Sequence, residues 1–148
     1  MPTVFLHKNA LGLREKNGMR QKKSWQDNVM LRTIIEGIIE KKGKEIVCID
    51  LSRLDYAICS YFVICHGDSV PHVQALADFL EQYAGQTLGV RPYSVQGMEN
   101  SLWVVMDFGD IFVHIFKGEV RSFYSLEGLW ADGHLTQIDE PVFNQKHK

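Results

Sequence analysis

Apolar residues between positions 24 and 40 recur at helical spacing. Leu31, Ile34, Ile35, Ile38 and Ile39 share one face at the 3.6-residue period. Ser24-x-x-Asp27 offers a start resembling a capping box, with Asp where Glu is usual, and Gly43 is placed to end the helix. The period then changes. Residues 46–51 are a β-branched apolar run that predicts a buried strand, 52–60 form a connection, and 61–65 predict a second buried strand that stops at Gly67. Asp68-Ser69 opens another helix with Pro71 in its first turn, where the missing N–H costs nothing. Val73, Leu76, Ala77, Leu80 and Tyr83 make its stripe, and Gly85 and Gly89 loosen its end. Residues 92–95 predict a short strand and 97–101 a turn, followed by a hairpin of 102–108 and 111–116 around Gly109. A closing helix is predicted over 119–130.

These elements give an α/β fold, a two-layer mixed-sheet sandwich of about five strands with flanking helices. Its strand–helix–strand step should cross over right-handed if those strands are parallel neighbours. The organisation expected is a basic mobile arm at 1–23, one folded domain at 24–132 and a polar tail at 133–148.

The hairpin carries the most information. Alternation puts Leu102, Val104, Met106, Ile111, Val113 and Ile115 on one wholly aliphatic face, which predicts core. The other face holds Trp103, Val105, Asp107, Asp110, Phe112, His114 and Phe116, aromatic but dotted with two carboxylates and an imidazole. Either a helix covers this face with its polar groups at the margin, or it is an exposed aromatic patch with a polar rim, the kind of surface that anchors protein interfaces. The expectation carried forward is the second. Trp103 is then solvent-accessible in the free protein or covered only by a second copy, which leaves a homodimer open.

Charge sharpens the partner. Lys8, Arg14, Lys16, Arg20, Lys22 and Lys23 stand against Glu15 alone in residues 1–23, a net +5, so a chain totalling −2 carries −7 in the remainder. An acidic body repels phosphate backbones and complements a basic protein. No direct nucleic-acid readout is therefore expected of the body. Cys48, Cys59 and Cys65 form no Cys-x-x-Cys motif and leave one cysteine over, which points to a reducing, cytoplasmic setting. No apolar run approaches the ~20 residues of a membrane span, and the N-terminus lacks the apolar core of a secretory signal.

Candidate chemistry is thin. Asp107 and Asp110 invite a magnesium-holding pair, but they are three apart across a turn rather than two apart on one strand face. Gly67-Asp68-Ser69 resembles a phosphate-binding turn, yet lacks a glycine-rich run and a following Lys, and a helix N-cap explains it. The spacing of His66, His72 and His114 demands no metal. The expectation is no enzyme, no catalytic residue, no metal and no cofactor.

Three blocks go further. SYFVICHGDSVPHVQALAD (60–78), GMENSLWVVMDFGDIFVHIF (97–116) and EVRSFYSLEGLWAD (119–132) resemble, in order and spacing, the segments of the ribosomal silencing factor (RsfS/Iojap) family. Ser60, His66 and Pro71 depart from the family's usual Asp, Thr and basic residue; the hairpin block does not depart. The resemblance implies a nucleotidyltransferase-like fold without a working catalytic set. It implies binding to large-subunit ribosomal protein L-fourteen at the intersubunit face, a block on subunit joining and repression of translation, chiefly under nutrient limitation. It also implies a binding role for Trp103, with Asp107, Phe108, Asp110 and His114 as neighbouring pattern positions; the hairpin face adds Phe112. Two rivals remain: a nucleotidyltransferase-type enzyme using Asp107 and Asp110, and an RNA-binding module.

Overall fold

A computed structural model describes residues 24–138. Ser24 caps only a 3-10 turn, Trp25–Asp27, its Oγ accepting from the Gln26 N–H. Helix α1 (Val29–Glu40) starts later, at an Asn28 cap whose Oδ1 accepts from Leu31 N. Strands β1 (Lys44–Asp50) and β2 (Tyr61–Gly67) follow, then α2 (Val70–Leu88), β3 (Ser94–Gln96), β4 (Trp103–Asp107) and β5 (Ile111–Lys117). Two short helices, α3 (Gly118–Tyr124) and α4 (Leu126–Leu129), precede β6 (His134–Gln137).

The six strands lie in the order β3-β4-β5-β2-β1-β6. Only β2–β5 is a parallel pair; every other neighbouring pair is antiparallel. The strand–helix–strand step therefore runs from β2 through α2 to β3, with β5 and β4 lying between the two strands, and β2 takes β5 as its parallel neighbour. β2 and β5 are buried on both faces, and both are largely apolar, broken by His66 near the end of β2 and by His114 within β5.

Three expectations need correction. The sheet has six strands, not about five, because His134–Gln137, placed in the polar tail, pairs with β1 from Val47↔Gln137 to Asp50↔His134. A mostly polar, exposed edge strand has no apolar alternation to betray it, and its pairing is decided by β1. The closing helix is broken in two: Ser125 sits at φ 49°, a left-handed conformation that no α-helix continues through. Third, the sandwich does not stop at two layers. α1 and α2 cover one sheet face, and α3, α4 and the 51–59 connection pack on the other. The proposed mobile arm, 1–23, and most of the proposed tail lie outside the described residues.

Two cores result. The first joins Leu31, Ile34, Ile35 and Ile38 of α1 and Val73, Leu76 and Leu80 of α2 to Cys48, Val63, Cys65, Val104, Met106, Val113 and Ile115 of the sheet. The second holds Val47, Ile49, Phe62, Ile64, Trp103, Val105, Phe112 and Phe116 beneath Leu51, Leu54, Leu126 and Trp130. Alternation along each strand makes this division, and each fully buried Leu, Ile or Phe contributes roughly 1.5–3 kcal/mol.

Candidate functional site at the hairpin tip

The β4–β5 turn is built by its own polar groups. Oδ1 of Asp107 accepts from Gly109 N at 2.8 Å, and Phe108 N donates to Ile111 O at 2.9 Å. Gly109 sits at φ 93°, where a side chain would be strained. Backbone hydrogen bonds tie the tip to its surroundings. The Asp110 carbonyl accepts from Ser60 N (2.9 Å) and Tyr61 N (3.0 Å), and the Asp107 carbonyl accepts from Tyr93 N (2.7 Å).

This end of the sheet carries two carboxylates and apolar groups, with the exposed Arg91 two residues before Tyr93. Asp110 is exposed and Asp107 half-buried. Both carboxylates help raise the nearby Cys59 thiol, which burial first of all pushes up to about 12, so this cysteine is no nucleophile at neutral pH. Tyr93 is 80% exposed and Ile58 57% exposed, unusual for large apolar residues. Sequence reasoning missed both. Tyr93 lay inside a short predicted strand, 92–95, too brief for a period to orient it, and Ile58 lay in a connection.

The hairpin residues expected to bind a partner divide by depth. Asp107 and Asp110 share the tip, and Phe112, directly opposite Asp107, is buried at its margin. Phe108 turns to the first core. Trp103, 1% exposed, and His114, 0% exposed, lie within the second-face layer. The expectation of an accessible Trp103 is thereby overturned. Its ring stacks on Phe116 (centroids 5.0 Å apart) and is covered by Tyr124 of α3 at 4.8 Å, so the chain's own closing helix occupies the face. The indole N–H donates to Nδ1 of His114 at 3.1 Å. A neutral His114 accepting there carries its proton on Nε2, and burial pushes its pKa down to about 3.

The three histidines are not brought together. Nδ1 of His72 accepts from Asp68 N, and its Nε2 lies 2.9 Å from the Lys41 carbonyl. Ser69 Oγ caps α2 by accepting from His72 N, which accounts for the Gly67-Asp68-Ser69 turn. His66 lies at the sheet end opposite the tip, its Nδ1 3.0 Å from a guanidinium nitrogen of Arg121, and burial and that charge lower its pKa. Nε and Nη2 of Arg121 both donate to one Glu127 oxygen, at 3.0 and 2.7 Å. An open hollow of about 490 Å³ is lined by Glu45, His66, Arg121, Ser122, Ser125 and Glu127, with Arg121 engaged by both His66 and Glu127. Among the described residues no cluster of His, Cys, Asp or Glu could hold a metal, and no helix is long and apolar enough to cross a membrane.

The tip presents Asp107, held by its own turn, the exposed carboxylate of Asp110 and the exposed side chains of Tyr93 and Ile58. Comparisons with known proteins place the whole arrangement in context. A family model described as "Ribosomal silencing factor during starvation" matches residues 23–148. A ribosomal silencing factor RsfS of Halalkalibacterium halodurans is 33% identical over 110 residues, covering 74% of this chain and 92% of the relative. Its counterpart in Bacillus subtilis is 35% identical over 100 residues, covering 68% and 83%. A crystal structure of a protein from Chromobacterium violaceum superposes with a TM-score of 0.66 at 30% identity, covering 74% of this chain and 88% of that one.

Proposed function

The chain belongs to the ribosomal silencing factor (RsfS) family, and from that premise we propose that it binds the large ribosomal subunit through ribosomal protein L-fourteen, blocks joining of the small subunit and so represses translation, especially under nutrient limitation. The observation that carries this reading is the hairpin tip. Exposed Asp110 and half-buried Asp107 stand on a body of net charge −7, flanked by exposed Tyr93 and Ile58. Acidic groups around apolar anchors suit a basic protein surface, with charge setting the encounter and the aromatic supplying affinity. Trp103, His114 and Phe108 then serve as positioning residues that hold β4–β5 in place, while Asp107, Asp110 and the margin at Phe112 meet the partner. Blocking needs no chemistry, since a bulky domain on a joining surface excludes the other subunit by volume alone.

The likeness to nucleotidyltransferases is, in this reading, one of fold only. Asp107 spends one oxygen on its own turn, and the chain works without a cofactor, in the cytoplasm, as a regulator rather than an enzyme. The test is co-sedimentation with isolated subunits. The protein should pellet with large subunits and not with small ones, and equal binding to both, or to neither, would sink the proposal.

A further inference from the structure

At the end of the sheet opposite the hairpin tip, one imidazole lies between α3 and the strands. We propose that His66 and Arg121 form a pH-operated clasp, which seats α3 on the sheet while His66 is neutral and lets α3 lift from Trp103 when His66 takes up a proton. The clasp goes beyond the function proposed above and does not depend on it.

The contact dictates the protonation state. Nη1 of Arg121 lies 3.0 Å from Nδ1 of His66. A guanidinium only donates, so Nδ1 accepts, and the imidazole is neutral with its proton on Nε2. A second proton would go to Nδ1. It would set N–H against N–H and cation against cation, and the hydrogen bond would be lost. Nη1 also donates to the Lys44 carbonyl at 3.3 Å, while Nε and Nη2 hold Glu127. One buried side chain thus ties α3 to β1, β2 and α4. The imidazole is only half-buried and borders the open hollow, so a proton reaches it without unfolding.

α3 is poorly able to hold itself. It is seven residues long, its N-cap Lys117 supplies no side-chain hydrogen bond, and Ser125 ends it in a left-handed conformation. So short a helix depends on tertiary contacts. Val120 and Tyr124 supply apolar ones. Arg121 and Gly118 rest on the imidazole: a Cβ at Gly118 would come 3.4 Å from Cδ2 of His66. Tyr124, about one turn after Arg121, covers Trp103 at 4.8 Å, so lifting α3 uncovers the indole.

The charges around the ring set the direction. Burial and then Arg121 lower the His66 pKa from 6.5, and Lys44 adds to them; Glu45 of β1 and Asp68 beyond β2 oppose without prevailing. Asp68 also lies 3.9 Å from the Lys44 amine, and Glu119 of α3 is paired with Lys117 at 3.0 Å. The folded pKa lies below the unfolded one. The clasp is therefore complete above pH 6.5 and is lost as pH falls through the folded value. His114 cannot act this way, because it is fully buried and meets protons only when the sheet opens.

The experiment is amide hydrogen exchange on the full chain, corrected for the intrinsic effect of pH. Ser125 N, which donates to the Arg121 carbonyl at 2.9 Å, reports α3, and the amides of β5 report global opening. Between pH 7 and pH 5 the opening of α3 should rise about tenfold beyond any change in β5. His66→Gln, which keeps an acceptor for Arg121 but cannot titrate, should abolish that rise, and His114→Gln should leave it intact. Equal factors for α3 and β5, or a wild-type response in His66→Gln, would overturn the clasp. Should His66→Gln fail to fold, imidazole nitrogen shifts of the wild type decide. They should show the proton on Nε2 at pH 7 and a midpoint that coincides with α3 opening; a proton on Nδ1 at pH 7, or a midpoint that does not coincide, rules the clasp out. No ribosome enters these measurements, so their result is independent of the sedimentation test.

Discussion

The indole nitrogen of Trp103 donates to Nδ1 of His114 at 3.1 Å across the β4–β5 ladder, a diagonal pair, since Trp103 faces Phe116 and His114 faces Val105. Both residues are fully buried, and Phe62 lies edge-on to the imidazole at 4.6 Å. A polar pair in this position fixes the register of the hairpin from inside, because sliding one strand would strand two buried polar groups.

Truncating the indole follows core rules rather than interface rules. Trp103→Ala should cost about 3–5 kcal/mol of stability, and Trp103→Phe about 1–3 kcal/mol, chiefly by leaving the acceptor of His114 unsatisfied. Urea unfolding of the two variants checks this. A Trp103→Ala protein as stable as wild type would mean that α3 does not cover the ring in solution.

Acid should act through His114. Its folded pKa, about 3, lies below the unfolded value of about 6.5, so the unfolded chain takes up the proton first as pH falls. The fold keeps this contribution above pH 6.5 and loses it between pH 6.5 and 3, with a slope approaching 1.4 kcal/mol per pH unit. His66, also lowered, adds in the same direction. The informative quantity is therefore the difference in acid sensitivity between wild type and His114→Gln, which should be less acid-sensitive. An NMR titration placing the His114 midpoint near 6.5 would contradict the burial.

Charge reversal at the tip separates binding from folding. Asp110 is exposed, so Asp110→Lys should shift stability by less than about 0.5 kcal/mol while weakening large-subunit binding, mostly through a slower, more salt-sensitive association. Tyr93→Ala should cost about 1–2 kcal/mol of binding if this ring is an anchor. Sedimentation with large subunits, paired with thermal unfolding, measures both. Unchanged binding in both variants would move the interface elsewhere.

The carboxylates should show no catalytic habit. Calorimetry with nucleotide and magnesium is expected to give no stoichiometric binding. Stoichiometric binding that disappears in Asp107→Ala would restore the nucleotidyltransferase reading.

A part-buried ion pair links the two closing helices, which also pack Tyr124, Leu126 and Trp130 on the second core. Arg121 is 8% exposed, with Glu127 receiving two of its N–H groups. Glu127→Ala should cost about 1.5–3 kcal/mol, the range for hydrogen bonds to charged groups, and Glu127→Gln less, since it keeps an acceptor. Loss of α3 packing should unquench or shift Trp103 emission at the same time. Glu127→Ala with neither effect would show that Arg121 does not hold α3 down.

Elements whose pattern is local and repetitive could be read from residue order alone. The α1 stripe from Leu31 to Ile39, the α2 cap at Ser69, the two buried strands and the hairpin with its two faces all follow from periodicity and turn chemistry, which act between near neighbours. Family membership was legible for the same reason, because the 97–116 block is contiguous. The tertiary structure decided what depends on distant segments. Whether Trp103 meets solvent turns on Tyr124, twenty-one positions later, and that helix in turn is pinned by Arg121 against Glu127 and His66. β6 exists because β1 offers an unpaired edge, a fact no feature of His134–Gln137 announces. The tip became a candidate surface only when the fold set Tyr93 and Ile58 beside Asp107 and Asp110, since burial belongs to the packed whole and alternation reports only which side of a strand a residue is on.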